Sequence, residues 1–250
     1  MSGWLAVVGL GPGDEALVMP EATAVLAEAT DVVGYIPYVR RVPSRPGLLK
    51  HETDNRQELE RAQHALDMAA AGRQVVVVSS GDPGVFAMAS AIFEAIEAGP
   101  KAWRSLDVRV LPGITAMLAA AARVGAPLGH DFCAINLSDN LKPWRLIEQR
   151  LRLALEADFA IALYNPRSKA RPEGFGHALT LLREICRPDR VLVFARSVST
   201  PEETLRVVRL EDARPEMADM RTLVLIGSSA TRIIPRDGTP FVYTPRSVPL

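Results

Sequence analysis

Four consecutive valines, Val75 to Val78, followed at once by Ser79-Ser80-Gly81-Asp82-Pro83-Gly84, constrain this chain more than any other stretch. An uninterrupted β-branched run is the mark of a strand buried on both faces, as in a parallel sheet covered by helices. The abrupt change to turn residues places a tight polar loop at the strand's carboxyl end, and a helix is expected from Phe86 to Ala98, stopped by Gly99-Pro100. In open α/β sheets a small ligand sits beyond the carboxyl ends of the strands, where glycines let the main chain approach it. The stretch Val75 to Ala89 therefore reads as a ligand cradle, with an unliganded strand-to-helix turn as the plainer alternative.

The same alternation runs through the chain. Hydrophobic patterning predicts strands at Trp4–Leu10, Asp31–Tyr35 and Val108–Leu111, with helices at Pro20–Ala29, Asn55–Ala71 and Thr115–Val124. A second series has strands at Phe132–Leu137, Phe159–Leu163, Val191–Ala195, Glu203–Val208 and Thr222–Ile226, and helices at Pro143–Ala157 and Gly176–Cys186. The alternation of Thr-Leu-Arg-Val-Val-Arg within Glu202 to Asp212 suits an antiparallel edge strand, which makes the second sheet mixed. The tail from Pro235 has little periodicity and is expected to lie extended on the surface. At 250 residues the chain can form two α/β domains, each with its own sheet, and we divide it into residues 1–112 and 113–250.

Composition removes several classes of function. Lys+Arg and Asp+Glu balance at 29 each, so no overall field draws the chain to nucleic acid. No apolar run reaches membrane-span length, and the isolated Cys133 and Cys186 suit a reducing compartment, so a soluble cytoplasmic protein is expected. His51, His64, His130 and His177 show no ligand spacing, and no metal is expected. Gly9-Leu10-Gly11-Pro12-Gly13-Asp14 approaches the dinucleotide fingerprint, but Asp14 stands where the third glycine belongs. A nicotinamide-dependent oxidoreductase remains a rival reading on this turn alone.

Two further turns repeat the cradle's logic. Pro112-Gly113-Ile114-Thr115-Ala116 follows a strand and opens a helix, with Thr115 placed either to cap that helix or to face a ligand. Tyr164 to Pro172, YNPRSKARP, is a charged loop at another strand's carboxyl end. Tyr38 to Lys50, with Arg40, Arg41 and Arg45, reads as an irregular surface loop that is either solvated or set to meet carboxylates.

The segments VGLGPGD (Val8 to Asp14), VVGYIPYV (Val32 to Val39), SSGDPGVFAMA (Ser79 to Ala89) and LPGITA (Leu111 to Ala116), in this order, resemble the tetrapyrrole methyltransferase family, the class III S-adenosylmethionine enzymes. GHDFCAINLSDNLKPW (Gly129 to Trp144), LYNPRSKARP (Leu163 to Pro172) and LIGSSATR (Leu225 to Arg232) are similar to the branch that methylates C17 of precorrin-3B in cobalamin synthesis. The resemblance spans about residues 4 to 232 and implies two α/β domains, with S-adenosylmethionine in the cleft between them and a substrate trough on the first. It implies cofactor contacts at Pro12, Gly81, Asp82, Pro83, Val85, Thr115, Ala116 and Asn165. Asp82 is equally suited to holding its own loop by accepting backbone N–H bonds.

The reaction so implied is methyl transfer to C17 of precorrin-3B coupled to ring contraction, giving precorrin-4 and S-adenosylhomocysteine. Contraction needs a base and a hydrogen-bond donor, because a ring hydroxyl loses its proton as the skeleton migrates and a lactone carboxylate leaves. Asp14, His130, Asp131, Ser138 and Asp139 are the candidates, although Asp14, Ser138 and Asp139 also suit turn closure or helix capping. Arg40, Arg41, Arg45, Arg167, Lys169 and Arg171 are the candidates for the substrate's carboxylates. A homodimer is implied by the family. The cobalt-factor III counterpart of the anaerobic pathway is the alternative within the family, and a non-catalytic tetrapyrrole carrier the alternative outside catalysis.

Overall fold

The structure, a computed structural model, describes residues 3–54 and 57–247. The chain forms two compact units, Met1–Thr115 and Ala116–Leu250. The first contains β1 (Trp4–Gly9), α1 (Pro20–Glu28), β2 (Asp31–Tyr35), α2 (Ile36–Val39), β3 (Leu49–Thr53), α3 (Glu58–Ala70), β4 (Gln74–Ser79), α4 (Met88–Ala98) and β5 (Asp107–Leu111). Its sheet has the order β3-β2-β4-β1-β5, and every pairing is parallel. The valine run is the central strand. Val75 and Val77 pack with Leu5, Val7 and α3 and α4 on one face, while Val76 and Val78 pack with Trp4, Ala6, Val8 and α1 on the other. Burial on both faces is why the pattern is continuous.

The second unit contains α5 (Ala116–Val124), β6 (Gly125–Ala126), β7 (Phe132–Asn136), α6 (Trp144–Glu156), β8 (Ala160–Tyr164), α7 (Gly174–Ile185), β9 (Val191–Arg196), β10 (Thr204–Arg209), β11 (Thr222–Ile226), β12 (Arg232–Ile234) and β13 (Phe241–Tyr243). Its main sheet, β10-β9-β11-β8-β7, is mixed: only β7 and β8 run parallel, and β10 is an antiparallel edge strand on β9. Ile147, Leu151 and Leu155, spaced at four residues, turn one face of α6 onto Ile161, Leu163, Phe175 and Phe194 in this unit's core.

Four expectations need correction. Tyr38 to Lys50 is not wholly irregular, because Tyr38 and Val39 close the helical turn α2 and Leu49 opens the edge strand β3. Phe86 is not helical: its φ of +53° is left-handed, and the helix begins at Met88, whose N–H donates to the Ser79 hydroxyl at 3.3 Å. The helix expected from Asn55 begins at Glu58; Asn55 itself lies outside the described residues. The tail is not a surface strand alone, since β13 pairs antiparallel with β12 and parallel with β6. Val242 is buried, and the Thr244 hydroxyl donates to the Pro127 carbonyl at 2.6 Å.

Candidate functional site

In the first unit the site is assembled from the turns that leave β1, β4 and β5, three adjacent strands. Leu10 N–H donates to Ser79 O at 2.8 Å. Gly11 and Gly81 exchange N–H···O bonds of 3.2 and 2.8 Å, and both take φ of +65°. A Cβ on Gly9 would stand 2.6 Å from Gly81 O, and one on Gly113 would stand 2.2 Å from the same oxygen. The three turns therefore meet backbone against backbone at a distance only glycine permits. The Asp82 carboxylate ties two of them: Oδ1 accepts from Gly84 N–H at 2.8 Å and Oδ2 from Gly113 N–H at 3.0 Å. Asp82 thus holds its own loop, as an Asx turn does. Around it Pro12 and Val85 are half-buried, Gly81, Pro83 and Thr115 are buried, and Gly84 is exposed at the tip.

The first turn has a clamp that reading the sequence as a substrate contact did not foresee. Arg41 directs Nη1 to Gly11 O at 3.1 Å and Nη2 to Gly13 O at 3.2 Å and to Leu10 O. Burial lowers its pKa. Asp14 is exposed and accepts from Ala16 N–H at 2.9 Å, capping the 3-10 turn Glu15–Leu17. Arg40 is an exposed partner of Glu52 at 3.4 Å. The expectation for Arg45 is corrected: its guanidinium donates to Leu26 O at 3.2 Å and to Ala29 O, closing the carboxyl end of α1. That end adjoins the first residue of β2, at the amino end of the sheet, away from the turns.

In the second unit the carboxyl ends of β7 and β8 lie side by side, with Asn136 opposite Tyr164. Asn136 Oδ1 accepts both Ser138 N–H at 2.9 Å and Asn165 Nδ2–H at 3.0 Å. Asn165 is held at a left-handed φ of +51°. The Tyr164 hydroxyl accepts from Met117 N–H at 3.1 Å, next to Ala116 at the first turn of α5. Asn136 and Tyr164 organise these strand ends, and the sequence reading passed over both. The signal available was a pair of polar residues ending two apolar strands. Ser138 is half-buried, and exposed Asp139 lies 3.8 Å from Arg171 Nε.

Arg171 also donates to Leu137 O at 3.4 Å; Arg167 Nε donates to Pro172 O at 3.2 Å, and Lys169 is exposed. Burial lowers the pKa of Lys142, as do Arg150 and Arg171. His130 and Asp131, also candidates for the acid–base step, are not brought beside Ser138 and Asp139. They form their own pair at 3.6 Å before β7 begins, whereas Ser138 and Asp139 follow its other end, and a five-residue strand spans roughly 16 Å. Among the described residues no three His, Cys, Asp or Glu side chains gather to hold a metal.

Each unit offers turns beyond strand ends that are held in fixed positions by main-chain and side-chain hydrogen bonds. Such a site orients a ligand more readily than it performs acid–base chemistry on one. The family profile of the Tetrapyrrole (Corrin/Porphyrin) Methylases matches residues 5–214. The chain is 55% identical over 98% of its length to the precorrin-3B C(17)-methyltransferase of a Sinorhizobium species, covering 97% of that protein. Among solved structures, the methyltransferase CobJ is 66% identical, with a TM-score of 0.93 over 98% of this chain and all of that one. The uroporphyrin-III C-methyltransferase of Thermus thermophilus, complexed with S-adenosylhomocysteine, is 26% identical, with a TM-score of 0.67 over 90% of this chain and 97% of that one.

Proposed function

This chain belongs to the tetrapyrrole (corrin/porphyrin) methylases, and we propose that it carries a methyl group from S-adenosylmethionine to C17 of precorrin-3B, with ring contraction to precorrin-4. The observation that carries the reading is the 55% identity to a precorrin-3B C(17)-methyltransferase across nearly the full length of both chains. The match takes in both sets of strand-end turns.

Bound S-adenosylmethionine supplies an electrophilic methyl group, and transfer to carbon releases S-adenosylhomocysteine. The residues present suit such a ligand: a rim of main-chain groups at Gly81 to Val85, backed by turn contacts so close that a side chain on Gly9 or Gly113 would collide with Gly81 O. Asp82, Arg41 and Asn136 hold these turns in shape. Fixing two reactants in line contributes up to about 7–11 kcal/mol in favourable cases, which is the demand methyl transfer makes. Pro12 and Thr115 on the first unit and Ala116 and Asn165 on the second are the further candidate cofactor contacts. For contraction, Ser138 and Asp139 are the candidates for moving the hydroxyl proton, with Asp14 on the first unit. Arg40, Arg41, Arg167, Lys169 and Arg171 are left to meet substrate carboxylates, because Arg45 lies at the other end of the sheet.

The reading includes a cytoplasmic homodimer that takes tetrapyrrole and no nucleic acid. Free Cys133 and Cys186 support the reducing compartment and a formal net charge of zero the lack of nucleic acid, and among the described residues no helix is long and apolar enough to cross a membrane.

The test is anaerobic incubation of purified protein with S-adenosylmethionine and either precorrin-3B or cobalt-factor III, followed by mass spectrometry. Methylated, ring-contracted product from precorrin-3B at the higher kcat/KM is expected. A preference for the cobalt substrate overturns the metal-free assignment. Calorimetry that finds binding of NADH and none of S-adenosylhomocysteine overturns the methyltransferase.

A further inference from the structure

Three cation- or hydroxyl-bearing side chains in the first unit have no carboxylate to answer them. Arg61, on α3, is 2% exposed. It donates from Nε to the Thr53 hydroxyl at 2.6 Å, from Nη2 to Asp54 O at 2.6 Å and from Nη1 to Met88 Sδ at 3.1 Å. All three acceptors are neutral. Arg41 likewise gives its Nη groups only to main-chain carbonyls. Among the described residues neither guanidinium has a carboxylate oxygen within ion-pair distance; Glu15, Asp54 and Glu58 act on them only from further away. Burying a charge without a counter-ion is costly, and burial lowers the pKa of both arginines.

Tyr38 stands in the electrostatic reach of both. Its ring meets Tyr35 edge-on, with centroids 5.3 Å apart. Its hydroxyl makes no hydrogen bond to a described residue, and it is not among the buried polar atoms cut off from solvent. The oxygen is therefore within reach of solvent, with the positive Arg41 and Arg61 and the negative Glu58 acting on it.

These groups converge at the carboxyl end of the sheet. Tyr38 lies on α2, directly after β2; Arg41 clamps the turn after β1; and Arg61 spans from the end of β3 to Met88, which follows the turn after β4. This is the same end as the glycine turns. We propose that Tyr38, Arg41 and Arg61 form a subsite for one carboxylate side chain of the tetrapyrrole, with the Tyr38 hydroxyl donating to it and the two guanidiniums compensating its charge. The inference rests on the methyltransferase reading and names a part of that site where α2 and α3 meet. A carboxylate here supplies the counter-charge that both arginines lack, so the subsite favours a polycarboxylate macrocycle over its ester.

The experiment compares the wild type with Tyr38→Phe, which keeps the ring and its contact with Tyr35, and with Arg61→Lys. Steady-state kinetics with precorrin-3B are combined with calorimetry of S-adenosylhomocysteine. Fluorescence titration with uroporphyrin and with its octamethyl ester gives a readout independent of turnover. Tyr38→Phe is expected to raise KM for precorrin-3B roughly ten- to hundredfold, the range for losing a hydrogen bond to a charged group, with kcat nearly unchanged. Uroporphyrin binding should weaken by a similar factor and ester binding should not change, while the Kd of S-adenosylhomocysteine stays constant.

Unchanged KM and uroporphyrin affinity in folded Tyr38→Phe overturn the subsite. A weakened S-adenosylhomocysteine affinity with unchanged KM overturns it too, because the carboxylate held would then be the cofactor's. A wild type that binds uroporphyrin in a Tyr38-dependent manner without converting precorrin-3B overturns the proposed reaction and leaves the subsite standing.

Discussion

In the first unit, turns from three neighbouring parallel strands touch main chain to main chain, through Gly9, Gly11, Gly81 and Gly113. In the second, the corresponding strand ends are joined by side chains, with Asn136 gripping Ser138 and Asn165 and Tyr164 reaching α5. The first arrangement has no room for a side chain at its contacts. The second adds side-chain bonds to the Leu137 N–H to Tyr164 O bond of 2.9 Å, and those side-chain bonds can be loosened one at a time. The first turn set is thus fixed as a block, and the second is adjustable at single positions.

The sharpest way to break the comparison is to put a methyl group into the first unit. Gly113→Ala sets a Cβ against Gly81 O, with backbone on both sides and no flexible side chain to yield. Overpacking of this kind costs about 3 kcal/mol. Urea unfolding should show it, and S-adenosylhomocysteine affinity should be lost together with activity. Retention of that affinity would mean that the three turns are not one unit of binding.

Two ion-paired carboxylates, Asp31 at the start of β2 and Asp158 just before β8, differ in burial. Asp31 is fully buried, and burial alone would raise its pKa. Hydrogen bonds from Thr30 at 2.7 Å, His51 at 2.7 Å and Arg73 at 2.6 Å outweigh that and hold it below the usual 3.8. Asp158, with Arg190 and Ser229, is lowered in the same way, but its side chain is 40% exposed. A lowered carboxylate contributes stability that is complete above its unfolded pKa and disappears as pH falls through the folded one. Asp31→Asn should therefore cost about 2–3 kcal/mol at pH 7, and its deficit against wild type should shrink below about pH 4. Asp158→Asn should cost about 1 kcal/mol, since solvent screens its partners. Equal costs would erase the distinction.

Asn136→Ala tests the side-chain-built half. It removes the acceptor of two bonds and leaves Asn165 without its anchor at a left-handed φ. About 2 kcal/mol of stability should be lost, and kcat/KM should fall. Asn136→Asp, which keeps an acceptor oxygen, should recover most of both. No recovery would show that the amide's contribution is not the acceptor.

How much of this was legible follows from where each signal resides. The valine run announced β4 because both faces of a central strand are apolar. β3, Leu-Lys-His-Glu-Thr, is an edge strand with no fully buried residue, so its sequence carries no such run. β6, β12 and β13 are two or three residues long, below the length at which alternation can be recognised. The glycine turns could be found locally. The Asn136–Asn165 bond joins residues 29 apart, and the Tyr164–Met117 bond joins residues 47 apart, so neither exists until the sheet has formed. Arg41, Arg45 and Arg61 show the same limit. An arginine's charge is visible in sequence, but whether it faces carbonyls, a helix end or a ligand depends on packing.

The smallest expected effect concerns Arg45, whose position separates structural from substrate-facing arginines. Its guanidinium answers Leu26 O and Ala29 O, the unpaired carbonyls at the last turn of α1. A cation there also meets the negative end of the helix dipole, an interaction of about 0.3–1 kcal/mol. Arg45→Met retains the aliphatic stem and removes only this capping. Stability should fall by about 1 kcal/mol with KM for precorrin-3B unchanged, whereas Tyr38→Phe in the same segment should move KM and leave stability alone. A KM effect from Arg45→Met would mean that substrate reaches the amino end of the sheet, and the assignment of binding to the carboxyl-end turns would fail with it.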